Sequence, residues 1–292
     1  MCELFALSSL VPTTISFSMG EFSKHGGLTG CHKDGWGIAF YAENDVQIIR
    51  ETIPAIDSDY LHCLKNHNFS SNLIISHIRL ATQGKLALKN TQPFSRELGG
   101  RMHVFAHNGD LKEIQNSQKI KLGRYRPLGE TDSEYAFCGL MNLMEELWIS
   151  TREPTLEERL EVISEFAAIL RNFGPANFLY SDSEILFIHG HKRTQTNHRG
   201  IRPPGLFTLR RTCFQERKHP KIKGLELDCP IEKEEVLLVA SVPLTDEPWI
   251  PLAEGEILAI AQGSLLKTVT NSPQSKIKDD SSPLIQLGNS RL

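Results

Sequence analysis

The sequence predicts an α+β fold of two mainly antiparallel sheets with helices packed outside them. Three observations lead there. Short apolar runs of strand character fill the first 110 or so residues and return after Gly174-Pro175. Between them lie two long stretches whose apolar residues recur at three- and four-residue steps, the helical period. The strand–helix–strand alternation of a doubly wound parallel sheet is absent, and strands, then helices, then strands suit two stacked sheets better.

The elements follow in order. CELFALSS is a short strand directly behind the first methionine, and Pro12 ends its apolar stretch. GWGIAFY (35–41) and VQIIRE (46–51) are two more strands, joined by the polar turn AEND. DYLHCLKNH (59–67) has helical spacing. NLIISHIRL (72–80) is apolar at both parities, as in a strand covered on both faces. HVFAHNG (103–109) is a strand running into a turn. SEYAFCGLMNLMEELW (133–148) and TLEERLEVISEFAAILRNF (155–173) are amphipathic helices, and Gly174-Pro175 stops the second. ANFLYSD, EILFIHG, GLFTLRR, EVLLVASV and EILAIAQGSLLK supply the later strand runs. Residues 271–292 are rich in Ser, Pro and Asp, so the expectation is one domain over 2–270 followed by a polar, disordered tail.

Composition narrows the function classes. The chain has 292 residues, 40% hydrophobic and 23% charged, an ordinary globular balance that can build a core without staples. A net charge of −3 gives no global basic footprint for nucleic acid. The six cysteines are scattered, with no C-x-x-C pair, which suggests a reducing compartment and no zinc knuckle. No apolar run approaches the roughly 18 residues of a membrane helix. The start lacks the basic-then-apolar order of a secretory signal. The expectation is a cytoplasmic protein with no metal, no cofactor and no membrane or nucleic-acid partner.

Cys2 is the first candidate for chemistry. Removal of Met1, usual before a small residue, leaves a thiol and a free α-amine on one residue. An α-amine of pKa about 7.7–8.0 suits general-base work near neutral pH. A thiol of pKa about 8.5 is strongly nucleophilic once ionised. The alternative is a small apolar residue on an edge strand. In SHIRLATQG (76–84), Arg79 stands at a strand end, where its guanidinium could hold a carboxylate bidentately or form a structural ion pair. Thr82 could add a contact to the same carboxylate. In AHNGDL (106–111), Asn108-Gly109 is a favoured turn dipeptide, and equally an amide and a backbone N–H that could form an oxyanion hole. In GETDSEYAF (129–137), Thr131 and Glu134 match a capping box, which leaves Asp132 free to hold an ammonium group. Asp34-Gly35 is a turn before a strand. The histidines near these motifs, His77, His103 and His107 among them, suggest satisfied core or rim residues in preference to a metal site.

Taken together and in order, the N-terminal MC, DGWGIAFY, SHIRLAT, NTQPF, HNGDL and TDSE resemble the class II glutamine amidotransferases, members of the N-terminal-nucleophile (Ntn) hydrolases. VASVPLTDEPW (239–249) resembles the stand-alone, YafJ-like branch. The resemblance runs from Cys2 to about residue 262. It implies a four-layer αββα sandwich, the Ntn-hydrolase type. It implies Cys2 as nucleophile with its α-amine as base, and Asn108 and Gly109 as the oxyanion hole. Arg79 and Thr82 would hold the α-carboxylate of glutamine and Asp132 its ammonium. A zwitterionic substrate needs one fixed cation and one fixed anion, and such orientation lowers a barrier by several kcal/mol. Leu80 and Gln83 depart from the Trp and His of fused hexosamine synthases, which puts their ammonia-channel gate in doubt here. Three functions remain open: a glutaminase that passes ammonia to a separate acceptor or synthase subunit, a hydrolase of another γ-glutamyl compound such as a peptide or thiol conjugate, and a catalytically silent regulatory or scaffold module. The basic stretch 192–223 is either a solvated loop or a docking surface for an acidic group.

Overall fold

The structure, a computed structural model, describes residues 2–17, 26, 32–61, 70–149, 152–195, 200–214, 225–228 and 233–270. The expected tail at 271–292, and residues 62–67 of the expected helix at 59–67, lie outside them.

The described strands are β1 (Glu3–Phe17), β2 (Trp36–Ala42), β3 (Asp45–Glu51), β4 (Ser70–Ile78), β5 (Phe94–Leu98), β6 (Arg101–Gly109), β7 (Ala176–Ser181), β8 (Leu186–His189), β9 (Arg193–Thr194), β10 (Ile201–Arg202), β11 (Phe207–Phe214), β12 (Leu225–Asp228), β13 (Lys233–Ala240), β14 (Ile250–Pro251), β15 (Glu256–Ala261) and β16 (Ser264–Thr270). Two long helices, α1 (Asp132–Trp148) and α2 (Leu156–Arg171), fall where the periodicity places them. One sheet runs β14-β11-β13-β1-β4-β2-β3, with β12 also on β1; the second runs β16-β15-β8-β7-β6-β5. The pairings in both are antiparallel. The fold is therefore the α+β sandwich that the order of elements implies.

Alternation along the strands builds the layers. Leu4, Ala6, Ile75, Val104, Ala106, Leu179, Ile188 and Val239 point into the gap between the sheets and form one core. Phe105, Phe178 and Phe187 point the other way and meet Phe137, Met141, Ile163 and Phe166 of the two helices. On the far side of the first sheet, Phe5, Ile38, Ile74 and Leu238 pack with Ala55 and Leu61. Among the described residues, the short turn Ala55–Asp57, the helical residues 59–61 and the loop bearing Leu244 and Trp249 cover that face.

Three local expectations are corrected. β1 does not stop at Pro12; its register with β4 shifts between Ser8 and Thr13 and pairing then resumes. Proline lacks an N–H, so a strand passes it most easily at such an irregularity. EILAIAQGSLLK is not one strand but the hairpin β15–β16, turned at Gln262-Gly263, both at positive φ. The capping box at α1 is half formed. Thr131 caps the Glu134 N–H, but the Glu134 carboxylate accepts from Gly129 N and Arg96 instead. A complete box stands at α2, between Thr155 and Glu158.

Candidate active site

Cys2 precedes β1, the strand seated between β13 and β4. Glu3 pairs with Ile78, so continuing the register brings Cys2 to the turn that follows β4. There the Leu80 N–H meets the Cys2 sulfur at 3.3 Å, and the thiol donates to the Leu80 carbonyl at 3.4 Å. Both contacts are backbone, which explains why the side chain at position 80 is free to be Leu. Burial pushes the Cys2 thiol up; the Leu80 backbone and the Arg79 guanidinium pull it down, and Asp132 raises it.

The turn is held from inside. The Arg79 side chain is buried, and its Nη1 and Nη2 donate to the carbonyls of Asp34, Lys85, Gln83 and Gly84 at 2.9–3.5 Å. Asp34 accepts the Ala81 N–H at 2.7 Å, and the Arg79 N–H donates to Gly35 O at 2.8 Å. Asp34-Gly35 is therefore more than a turn before a strand: it braces the loop beside Cys2. Asn90 donates to Lys85 O and to Glu130 and accepts from the Glu130 N–H, tying this loop to the segment before α1. Gln83 donates across to Asp110 at 3.1 Å. Thr82 sits exposed on the bend of the loop.

Asn108 and Gly109 come from the other sheet. They end β6, paired with Asn177 and Ala176 of β7. Asn108 is fully buried in the inter-sheet gap, and its Nδ2 lies 3.3 Å from Ser241 Oγ. Ser241 Oγ in turn accepts the Leu4 N–H at 3.0 Å. One hydroxyl thus links the strand behind Cys2 to the Asn108 amide. Gly109 cannot carry a side chain: a Cβ there would stand 1.8 Å from Pro175 O and 2.6 Å from His107 Nε2. The backbone geometry, not turn propensity, demands glycine.

Asp132 opens α1, at the positive end of the helix. Its carboxylate accepts the Leu111 N–H at 2.7 Å and the Ser133 N–H at 2.8 Å. His107 is paired through Nδ1 with Ser133 Oγ at 2.9 Å, and Ser133 leads on to Asp132. Burial holds the His107 ring below the usual imidazole range. The expectation of satisfied histidines holds for His103, bound to Tyr180 and Leu98 O. It fails for His77, whose two ring nitrogens are buried without a hydrogen-bond partner and whose pKa burial depresses to about 3. Among the described residues no group of His, Cys, Asp and Glu is arranged to hold a metal. No described helix is long and apolar enough to cross a membrane.

The structure thus places Cys2 beside the Arg79–Leu80 turn and links its strand through Leu4 and Ser241 to Asn108; Gly109 follows at the end of the same strand β6, Asp132 holds the Leu111 N–H two residues further on, and Thr82 lies on the exposed bend. Sequence reading missed Arg193 and Ser241. Arg193 belongs to the basic stretch but is buried, and it donates to Ser241 O at 2.6 Å. Arg211 of the same stretch is paired with Glu247. Within that stretch residues 196–199 and 215–223 lie outside the described ones. Ser241 stands in VASVPLTDEPW, where the motif itself was the available signal. A thiol can attack a carbonyl, and an amide and a backbone N–H can hold an oxyanion; the chain carries these groups at Cys2, Asn108 and Gly109.

Comparison with known proteins gives the family. A family model described as glutamine amidotransferases class-II matches residues 1–283. YafJ of Escherichia coli, a candidate glutamine amidotransferase, is 34% identical over 88% of this chain and 96% of its own. A candidate glutamine amidotransferase of Haemophilus influenzae is 32% identical over 96% of this chain and 90% of its own. The crystal structure of a predicted glutamine amidotransferase from Pseudomonas aeruginosa superposes with a TM-score of 0.67 at 33% identity. It covers 91% of this chain and all of that one.

Proposed function

Because the chain belongs to the class II glutamine amidotransferases, we propose that it releases ammonia from the side-chain amide of glutamine, with Cys2 of the processed chain as nucleophile. The observation that carries the reading is the contact of the Cys2 sulfur with the Leu80 backbone, beside Arg79, together with the link from Leu4, two residues further along the chain, through Ser241 to Asn108.

The α-amine of Cys2 takes the thiol proton and the sulfur attacks the amide carbon. The oxyanion develops against the Asn108 amide and the Gly109 N–H. The ammonium of Cys2 then gives its proton to the leaving ammonia, and a γ-glutamyl thioester remains. Water, deprotonated by the same amine, attacks the thioester and yields glutamate and the free thiol. Asp132 Oδ1 accepts from the Ser133 N–H and hydroxyl, while Oδ2 accepts only from the Leu111 N–H and keeps a lone pair that receives the substrate ammonium. Arg79 and Thr82 receive the α-carboxylate. In the conformation described, the Arg79 Nη atoms serve backbone carbonyls, so carboxylate capture exchanges some of those carbonyls for carboxylate oxygens and moves the 79–85 loop. The ammonia passes to an acceptor on a separate subunit.

The test is ammonia and glutamate release from a panel of γ-glutamyl compounds, glutamine among them. Turnover of glutamine that is lost in Cys2→Ala and in a variant with one residue inserted ahead of Cys2 is the expected result. Turnover of a peptide or thiol conjugate with none of glutamine would replace the amidotransferase by a γ-glutamyl hydrolase. No turnover of any of them would leave a scaffold.

A further inference from the structure

An oxyanion donor must present hydrogens, and the Asn108 amide has one face of each kind. Which face it presents is decided by Ser241. The serine follows β13 and continues its pairing with β1: the Ser241 N–H donates to Leu4 O and the Leu4 N–H donates to Ser241 Oγ, both at 3.0 Å. Arg193 fixes the same residue from outside through its carbonyl, at 2.6 Å. Ser241 is 1% exposed and Asn108 0%, so neither side chain reaches bulk solvent.

Counting hydrogens decides the orientation. With Nδ2 toward Ser241, the hydroxyl oxygen accepts from both Leu4 N and Asn108, and Asn108 Oδ1 is left buried with no partner. A buried carbonyl without a donor is costly. Rotating the amide half a turn about its last bond places Oδ1 at the serine. The hydroxyl keeps the Leu4 N–H as its donor and gives its own hydrogen to Oδ1, which uses each group as its chemistry allows. Nδ2 then takes the place that Oδ1 leaves and points away from Ser241, so its hydrogens no longer serve the serine, which is the condition an oxyanion hole requires.

We propose that Ser241 is a positioning residue for this reaction: its hydroxyl donates to Asn108 Oδ1 and thereby turns the amide hydrogens toward the carbonyl that Cys2 attacks. Arg193 holds Ser241 in place for that task. The proposal rests on the glutaminase reading above.

The experiment is a double-mutant cycle of Ser241→Ala and Asn108→Ala, assayed on glutamine and on a γ-glutamyl anilide, with thermal melts of every variant. Ser241→Ala should lower kcat by about 10- to 100-fold with KM within about threefold, the signature of an interaction made in the transition state. Ser241→Thr, which keeps the hydroxyl, should recover most of that loss. In the Asn108→Ala background Ser241→Ala should change kcat by less than about twofold, while its effect on the melting temperature persists, because the Leu4 N–H loses its acceptor in either background. Wild-type kcat in Ser241→Ala, with Asn108→Ala impaired, overturns the proposal. So do independent, multiplying losses. If Asn108→Ala retains full kcat, or the unaltered protein turns over neither substrate, the reading beneath the proposal falls instead.

Discussion

Gly109→Ala tests the site with a single methyl. Its Cβ would lie 1.8 Å from Pro175 O and 2.6 Å from His107 Nε2. Ordinary non-bonded contacts of carbon lie near 3.5–4.0 Å, so the Gly109 and Pro175 backbones must part by more than about 1 Å. Neither is a flexible side-chain tip. Gly109 pairs with Ala176, the residue after Pro175, so the separation opens the end of the β6–β7 ladder. Overpacking of this kind costs about 1–3 kcal/mol of stability. Its effect on catalysis should be larger. Displacing a reacting group by 1 Å costs about 10²-fold, and losing one oxyanion donor about 10²- to 10³-fold in kcat, or about 2.7–4 kcal/mol. The assay is initial-rate ammonia release from glutamine, read beside thermal unfolding. Gly139→Ala is the control: its Cβ would meet the Ile120 Cγ2 at 2.4 Å, on the helix side and away from the site. That variant should lose comparable stability and keep kcat within about twofold. A folded Gly109→Ala protein with wild-type kcat would refute the assignment of Gly109 to the oxyanion hole.

Three further outcomes follow from the geometry. Arg79→Lys replaces a fork that spans four carbonyls by a point charge, so KM for glutamine should rise at least about tenfold; an unchanged KM would remove Arg79 from substrate binding. Arg159→Ala strands the buried Asp182 carboxylate, its partner at 3.2 Å, and should lower stability by about 3–5 kcal/mol in urea unfolding while kcat at 25 °C stays near wild type; a loss below about 1 kcal/mol would contradict the ion pair. Acid should destabilise the fold well above the carboxylate range. Burial depresses His77 and His189 to about 3 and His103 to about 4, so between those values and about 6.5 the unfolded chain binds more protons than the native one, and stability rises with pH. Each such histidine contributes up to about 1.4 kcal/mol per pH unit in that window, so stability measured at pH 5 should fall several kcal/mol below that at pH 7, and a flat profile would show that these rings are not buried neutral.

The division of labour between sequence and fold is visible residue by residue. Helices α1 and α2 were legible because their apolar period is local, repeating within one turn of the chain. Most strands were legible for the same reason, through alternation and β-branched content. β5 carries no such local signal: Phe94–Leu98 is five residues of mixed character that become a strand only by pairing with β6. The passage of β1 beyond Pro12 likewise depends on neighbouring strands that tolerate a shifted register.

The site divides in the same way. Cys2, Arg79, Thr82, Asn108, Gly109 and Asp132 each lie in a short motif whose residue types suggest a chemical part, so sequence alone could nominate them. It could not say what each part touches. That Asp34 holds Ala81 and that Gly109 is obliged by Pro175 O are consequences of close approach between segments far apart in the chain, and even the short-range bracing of its own loop by Arg79 depends on the folded turn. Ser241 is the clearest instance. Leu4 and Asn108 reach it across separations of 237 and 133 residues, and no local pattern encodes such a meeting. The chain carries the reactive groups in its sequence. Only the closing of one sheet over the other removes water from them, counts their hydrogen-bond partners and thereby decides which way each one faces.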